Sequence, residues 1–153
     1  MSAPGCGHDR TPTDVRVLAL DYGSARCGCA VSDPTGVLAT PLEPVARPRS
    51  RRGLGRLRAL AQRLEVERVV VGLPLSLSGS DSAQTAETRE FAALLAEQLA
   101  APIELYDERF TTRIAARGGG RGSEDSRAAA HLLESWLAAR SSFTQRPAEA
   151  FDD

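Results

Sequence analysis

A nearly continuous apolar run ends on an acidic residue in the segment Val15-Arg16-Val17-Leu18-Ala19-Leu20-Asp21-Tyr22-Gly23-Ser24. A short run that is apolar at odd and even positions alike is typical of a β-strand buried on both faces. Strands of this kind lie inside α/β sheets, so we expect residues 15–20 to form a central strand. Ligands of open α/β sheets bind beyond the carboxyl ends of the strands, which makes Asp21 the first candidate for a functional side chain.

The residues after this strand predict a mixed sheet that is covered by helices. Two further strands, at 27–32 and 37–45, flank the turn-forming segment Asp33-Pro34-Thr35-Gly36, which favours an antiparallel meander. Helical and β-branched patterns then alternate, as in parallel α/β units. These later elements are helix 51–64, strand 66–71, helix 82–100, strand 103–106, one or two helical turns within 110–117 and a last helix that Ser123 caps and that runs through Leu137. We therefore predict an α/β fold with a mixed five-stranded sheet, in which a three-strand antiparallel meander is joined by parallel strands, and with helices on both faces.

Three connecting segments receive separate predictions. Gly72-Leu73-Pro74 has the composition of a tight turn after the fourth strand. The polar segment 76–82 that follows is either a substrate loop or a plain connector. The small and polar ends, 1–13 and 140–153, are expected to be flexible extensions of one domain at 14–139.

Composition limits the classes of function. The chain of 153 residues is 42% hydrophobic and 25% charged, which is typical of a soluble globular protein. Its formal net charge of -1 predicts no general attraction to polyanions, so a nucleic-acid site must depend on local clustering. We find no membrane-spanning segment and no signal-peptide pattern, and therefore expect a cytoplasmic protein without a membrane partner. The odd number of cysteines favours reduced thiols over disulfides, and their spacing does not favour zinc.

Acidic residues recur at the predicted carboxyl edge of the sheet. Asp107 and Glu108 follow the last strand, and Asp125 lies in the first turn of the last helix. Each alone could be a turn cap or a solvated charge. Together with Asp21 they could bind a hard cation such as Mg²⁺ or Mn²⁺. Adjacent strand residues point to opposite faces, so only one of Asp107 and Glu108 can take part.

Four motifs follow one another along the chain. They are Leu20-Asp21-Tyr22-Gly23-Ser24-Ala25-Arg26, Val69-Val70-Val71-Gly72-Leu73-Pro74-Leu75, Tyr106-Asp107-Glu108-Arg109-Phe110-Thr111-Thr112 and Asp125-Ser126-Arg127-Ala128-Ala129. In this order, and over about residues 16–137, they resemble the YqgF family, also called RuvX or Holliday-junction-resolvase-like proteins.

The resemblance implies a ribonuclease H-like fold and a phosphodiesterase active site. Asp21, Glu108 and Asp125 match the acidic triad of the family as catalytic and metal-binding residues, which chooses Glu108 over Asp107. The implied chemistry is two-metal hydrolysis, in which Asp21 bridges two Mg²⁺ or Mn²⁺ ions that the other two acids complete. Family members are viewed as nucleases that mature the 5′ end of 16S ribosomal RNA precursor, and earlier as candidate Holliday junction resolvases. The resemblance thus implies pre-rRNA, together with the ribosome, as the partner. Branched DNA is the alternative partner.

All 19 positive charges are arginines. Arg26, behind the Asp21 loop, and Arg109 are expected to contact phosphate, since guanidinium groups bind it in a bidentate manner. A dense cluster either contacts nucleic acid or is an ordinary solvated face; its members are Arg47, Arg49, Arg51, Arg52, Arg56 and Arg58. A monomer is sufficient to trim one RNA strand, whereas cleavage of a junction calls for a two-fold homodimer. The sequence leaves both oligomeric states open.

Two other readings remain. The segment between Thr112 and Asp125 is shorter than is typical of the family, and this keeps open the alternative of a non-catalytic adaptor of RNA or the ribosome with the same fold. The Asp21-Tyr22-Gly23 loop also resembles the phosphate loop of actin-like ATPases and sugar kinases. Those folds clamp the nucleotide between two such domains, whereas this chain has room for one.

Overall fold

The computed structural model describes residues 16–33, 38–75, 82–108 and 124–144, and within the last range the side chains of 126–140. The strands are β1 (Val17–Asp21), β2 (Arg26–Ser32), β3 (Ala39–Ala46), β4 (Arg68–Leu73) and β5 (Ile103–Asp107). The helices are α1 (Arg51–Leu64), α2 (Ala83–Gln98) and α3 (Glu124–Thr144). Among the helices of these ranges, none has both the length and the apolar character that a membrane span requires.

The five strands form one sheet in the order β3-β2-β1-β4-β5. β1 and β3 each pair with β2 in antiparallel fashion, and β4 pairs in parallel with both β1 and β5. The predicted fold class, the antiparallel meander and the central place of β1 are therefore confirmed. β1 is central because its side chains are apolar on both faces and each face is covered.

Helices cover both faces of the sheet, as predicted. On one face, Leu18 and Leu20 of β1 belong to a buried cluster with Leu57 of α1 and with Phe91 and Leu95 of α2. On the other face, the alternate residues of β1 pack against α3 in a second cluster, which includes Val17, Ala19, Val70, Ala129, Leu133 and Trp136. Ala129 and Ala130 are small enough to bring the α3 backbone close to the sheet.

Helix α1 has the predicted bounds and runs from the carboxyl end of β1 to its amino end. Ser50 caps its start, because the Ser50 hydroxyl accepts a hydrogen bond of 2.9 Å from the Gly53 N–H. At the far end, Arg16 Nη1 donates to the Leu64 carbonyl oxygen at 3.3 Å, immediately before β1 begins. The start of α1 therefore lies at the carboxyl edge of β1, the edge where Asp21 lies.

Several predicted boundaries differ from the structure. The prediction of a tight turn at Gly72-Leu73-Pro74 is wrong for its first two residues, because β4 continues through Leu73. Helix α3 ends at Thr144 instead of residue 137, so residues 140–144 of the predicted tail are helical. The predictions for residues 1–13, 76–81 and 110–117 and for a cap at Ser123 fall outside the described residues.

Candidate active site

Asp21 is the last residue of the central strand and is half-buried. Side chains of a strand alternate between its faces. Val17 and Ala19 pack towards α3, whereas Leu18 and Leu20 pack towards α1 and α2. Asp21 continues the first set, so its carboxylate belongs to the face that α3 covers.

Glycines stand on both sides of Asp21 in the sheet. On β2 its partner is Gly28. On β4 the parallel register pairs Leu20 with Val71, so the next pair joins Asp21 and Gly72. Directly paired residues point to the same face, and a glycine there leaves the sheet surface bare. The two residues that pair with Asp21 therefore place no side chain of their own beside its carboxylate on the α3 face.

Glu108 uses the space above Gly72. A Cβ placed on Gly72 would lie 2.7 Å from Glu108 Oε2, 3.0 Å from Glu108 Cγ and 3.2 Å from Leu132 Cδ2 of α3. The Glu108 carboxylate thus lies on the α3 face, over the β4 residue that adjoins Asp21. Because Gly72 has no side chain, Glu108, which follows β5, can lie on the same face of the sheet as Asp21 of β1.

Asp107 belongs to the opposite face. Glu104 and Tyr106 of β5 lie on the α3 face, where Trp136 Nε1 donates to Glu104 Oε2 at 3.2 Å. Ile103 packs with the α1 and α2 cluster, and Asp107 follows it in the alternation. The geometry therefore groups Glu108, and not Asp107, with Asp21.

The first turn of α3 is tied to the strand beside Asp21. The buried Cys29 N–H donates to Ser126 Oγ at 3.2 Å, and Cys29 pairs with Leu20. The contact occurs where the register between β2 and β3 shifts, between Cys27 and Cys29. The backbone of Asp125, one residue before Ser126, is helical and is held at this edge, whereas its side chain lies outside the described residues.

The described part of the site suits a hard divalent cation. Among the described side chains, no group of three or more His, Cys, Asp or Glu residues could hold a metal ion, and the Asp125 carboxylate is not among these side chains. Asp21 and Glu108 supply oxygen donors only, and the glycines that pair with Asp21 add no side chain next to its carboxylate. Oxygen donors with room for water are what Mg²⁺ and Mn²⁺ prefer.

Tyr22 anchors the Asp21 loop to α2. Its ring stacks on Phe91 with centroids 4.7 Å apart, and its hydroxyl donates to Glu87 Oε2 at 2.8 Å. Burial, followed by this hydrogen bond, raises the pKa of Tyr22 to about 12, so the phenol stays a neutral donor near neutral pH. Arg49, in the turn between β3 and α1, lies 3.4 Å from the same Glu87 oxygen and joins this turn to the anchor.

The two predicted phosphate-contacting arginines have different outcomes. Arg26 is exposed at the start of β2, and alternation with Gly28 and Ala30 places it on the face of Asp21. Arg109 lies outside the described residues.

Sequence reasoning assigned no role in the site to Gly28, Gly72, Tyr22 or Ser126. A glycine within an apolar strand was the available signal, because it marks a close approach as often as a turn.

Comparison with known proteins shows the family to which the chain is related. Residues 15–139 match the family RuvX, described as Holliday junction resolvase. A protein of Koribacter versatilis named as a pre-16S rRNA nuclease is 48% identical over 97 residues, which are 63% of this chain and 63% of that protein. A protein of Mycobacterium bovis with the same name is 44% identical over 140 residues, covering 85% of this chain and 81% of that protein.

Solved structures support the same fold. The structure of Thermus thermophilus RuvC aligns with a TM-score of 0.54 and 19% identity, covering 84% of this chain and 97% of that chain. The same protein in complex with a Holliday junction aligns with a TM-score of 0.56 and 16% identity, covering 84% and 96%. At these identities the likeness is one of fold, and it confirms the ribonuclease H-like architecture.

Proposed function

The chain belongs to the RuvX family, and on this premise we propose that it is a metal-dependent endonuclease that processes the 5′ end of pre-16S rRNA. The observation that carries the proposal is that Glu108 lies over Gly72, the β4 residue beside Asp21, on the face of the sheet to which the alternation of β1 assigns Asp21. Carboxylates that share one face at the carboxyl edge of an open sheet are in the position where such folds bind ligands. The substrate and the process come from the names of the relatives, and the cytoplasm is the corresponding compartment.

In this proposal Asp21, Glu108 and Asp125 hold two Mg²⁺ or Mn²⁺ ions. When bound, such ions activate water and stabilise the leaving oxygen of a phosphodiester. The protein holds Asp21 at the end of a fully buried strand and keeps Glu108 close to it through the gap at Gly72. Arg26, exposed on the same face, neutralises a substrate phosphate.

Neighbouring acids provide a matched test of the catalytic assignment. Asp21→Asn and Glu108→Gln should each lower cleavage of a pre-16S rRNA 5′ fragment in Mg²⁺ or Mn²⁺ by about a hundredfold or more, since each removes a charged ligand. Asp107→Asn removes the same charge from the opposite face and should retain most of the activity. Cleavage without a divalent ion, or equal loss in all three variants, would contradict the proposal.

Cleavage of branched DNA is the second candidate. The family description, Holliday junction resolvase, favours it. Paired cuts across a junction call for a two-fold dimer, whereas trimming one RNA strand needs a monomer. Comparing four-way DNA with the rRNA fragment, together with the mass in solution, separates the two substrates. If the wild-type protein binds RNA but cleaves neither substrate, the chain is a non-catalytic adaptor of RNA or the ribosome.

A further inference from the structure

The excess of positive over negative charge in this chain is concentrated in one segment. Residues 44–64 contain seven arginines and no acidic residue, and the rest of the chain has 12 arginines against 20 acids. The seven are Arg47, Arg49, Arg51, Arg52, Arg56, Arg58 and Arg63. A protein with a net charge of -1 thus carries a strongly basic segment on an acidic background.

The fold brings one end of this segment to the loop that follows Asp21, although α1 itself covers the opposite face of the sheet from the two acids. Ala46 of β3 pairs with Arg26 of β2, and the next residue, Arg47, donates its N–H to the Ala25 carbonyl oxygen at 2.9 Å. Ala25 belongs to the loop that follows Asp21. The start of α1 therefore adjoins that loop, whereas the end of α1 lies at the opposite edge of the sheet, about 20 Å along the helix.

Four arginines at this end are exposed: Arg26, Arg47, Arg51 and Arg52. We call them the rim arginines. Within the described ranges none of them forms an ion pair, whereas Arg49 between them is paired with Glu87 at 3.4 Å and Glu90 at 2.9 Å. Among the described residues, the positive charge at this edge that no carboxylate pairs is therefore that of the rim arginines.

The backbone here is constrained in a way that an arginine does not favour. Arg47 has a φ of 44°, in the left-handed region that suits glycine or asparagine. Its carbonyl oxygen accepts hydrogen bonds from the N–H and the hydroxyl of Ser50, and a Cβ at Gly53 would overlap it. The Ser50 hydroxyl accepts from one of the first N–H groups of α1, that of Gly53.

We propose that the rim arginines bind the phosphodiester backbone of the nucleic-acid substrate, and lead it from the Asp21 loop past the start of α1. The inference rests on the proposed function, because it names the path of the strand that the same site cleaves. Phosphates are the ligand class because several exposed guanidinium groups near one loop, with no ion pair among the described residues, suit a polymer that carries repeated anions. Arg52 also lies four residues before Arg56 on one face of α1, where like charges repel. The stability of the helix therefore does not explain why arginines are concentrated here.

The test compares two double variants with the same loss of charge. Arg51→Gln with Arg52→Gln removes two rim arginines, and Arg58→Gln with Arg63→Gln removes two from the far half of α1. Binding is measured without divalent ions, so that cleavage does not interfere, to duplex RNA, duplex DNA and single-stranded RNA over a series of salt concentrations. The rim variant should bind both duplexes about tenfold more weakly, with a salt slope smaller by one to two. The far variant should retain the wild-type slope.

Arg47→Asn provides a second, independent readout. Asparagine tolerates the left-handed conformation, so this variant should keep or raise the melting temperature while it loses affinity for nucleic acid. If Arg47 served only the structure, the variant would instead have a lower melting temperature and an unchanged affinity for nucleic acid.

The outcomes separate this inference from the proposed function. Equal effects of the two double variants, or wild-type binding by the rim variant, would overturn the inference. The predicted loss of binding in a protein that cleaves no substrate would uphold it while the nuclease proposal fails. The absolute affinities, which the phosphate contacts do not decide, show whether RNA or DNA is the ligand.

Discussion

Replacing Gly72 by alanine tests the structural basis of the site with a single methyl group. The new Cβ would lie 2.7 Å from Glu108 Oε2 and 3.0 Å from Glu108 Cγ, well inside the 3.5–4.0 Å at which non-bonded atoms attract. Leu132 Cδ2, at 3.2 Å, restricts the space on the α3 side. The Glu108 carboxylate must therefore move by about 0.5–1 Å, and sites of this kind tolerate about 0.5 Å.

Two effects of opposite sign act on the stability of this variant. Alanine restricts the unfolded chain more than glycine does, which favours the folded state by about 0.4–1 kcal/mol. Overpacking against Glu108 and Leu132 costs about 1–3 kcal/mol. We expect a net loss of about 1 kcal/mol in the free energy of unfolding, measured by denaturant titration, and a fall in cleavage of about a hundredfold, since displacements of 1 Å have such effects.

Gly55→Ala is the matched control. Gly55 is exposed in the interior of α1, and a Cβ there would meet nothing within 4 Å. This variant should gain about 0.5–1 kcal/mol of stability and keep its cleavage rate. If Gly72→Ala behaved like Gly55→Ala in both assays, the gap at Gly72 would have no part in placing Glu108, and our account of the site would be wrong.

Three further substitutions test contacts around the site. Tyr22→Phe loses the hydrogen bond to α2 and should lower the free energy of unfolding by about 0.5–1.5 kcal/mol in denaturant titration, with a smaller cleavage rate because the Asp21 loop loosens. Ser126→Ala leaves the buried Cys29 N–H without its acceptor and should cost about 1–3 kcal/mol in the same titration. Phe91→Ala empties a fully buried position and should cost about 3–5 kcal/mol, against less than about 1 kcal/mol for the partly exposed Leu94→Ala.

The parts of the fold that the sequence predicted are those in which local pattern and tertiary packing agree. Helix α1 begins and ends as predicted because Ser50 is a strong cap and its leucines recur at helical spacing. β1 was recognised as central because it is apolar on both faces. Gly72 was misjudged because glycine before Leu-Pro has the composition of a turn, and only the register with β5 shows that the strand continues.

Choosing between Asp107 and Glu108 shows why the site was harder to predict than the fold. Within β5 the apolar Ile103 shares its face with Asp107, and the charged Glu104 shares its face with Glu108. A simple alternation would have assigned the face of Glu104 to solvent and that of Ile103 to the core. In the structure α3 covers the face of Glu104 and binds it through Trp136, so both faces of β5 are occupied. The face that holds the site was therefore settled by α3, far away in sequence.

The pair of glycines beside Asp21 is hard to explain by stability alone. Glycine in a strand interior costs about 0.5–1 kcal/mol relative to alanine, and both Gly28 and Gly72 lie in strands next to the most deeply buried strand of the sheet. At Gly72 the space is filled by a carboxylate, whose burial is itself unfavourable without a positive partner. An apolar side chain at that position and a solvated glutamate would make a more stable sheet edge. Under the proposed function a cation bound by the two acids would offset this cost, which gives a physical reason for residue choices that packing alone would not make.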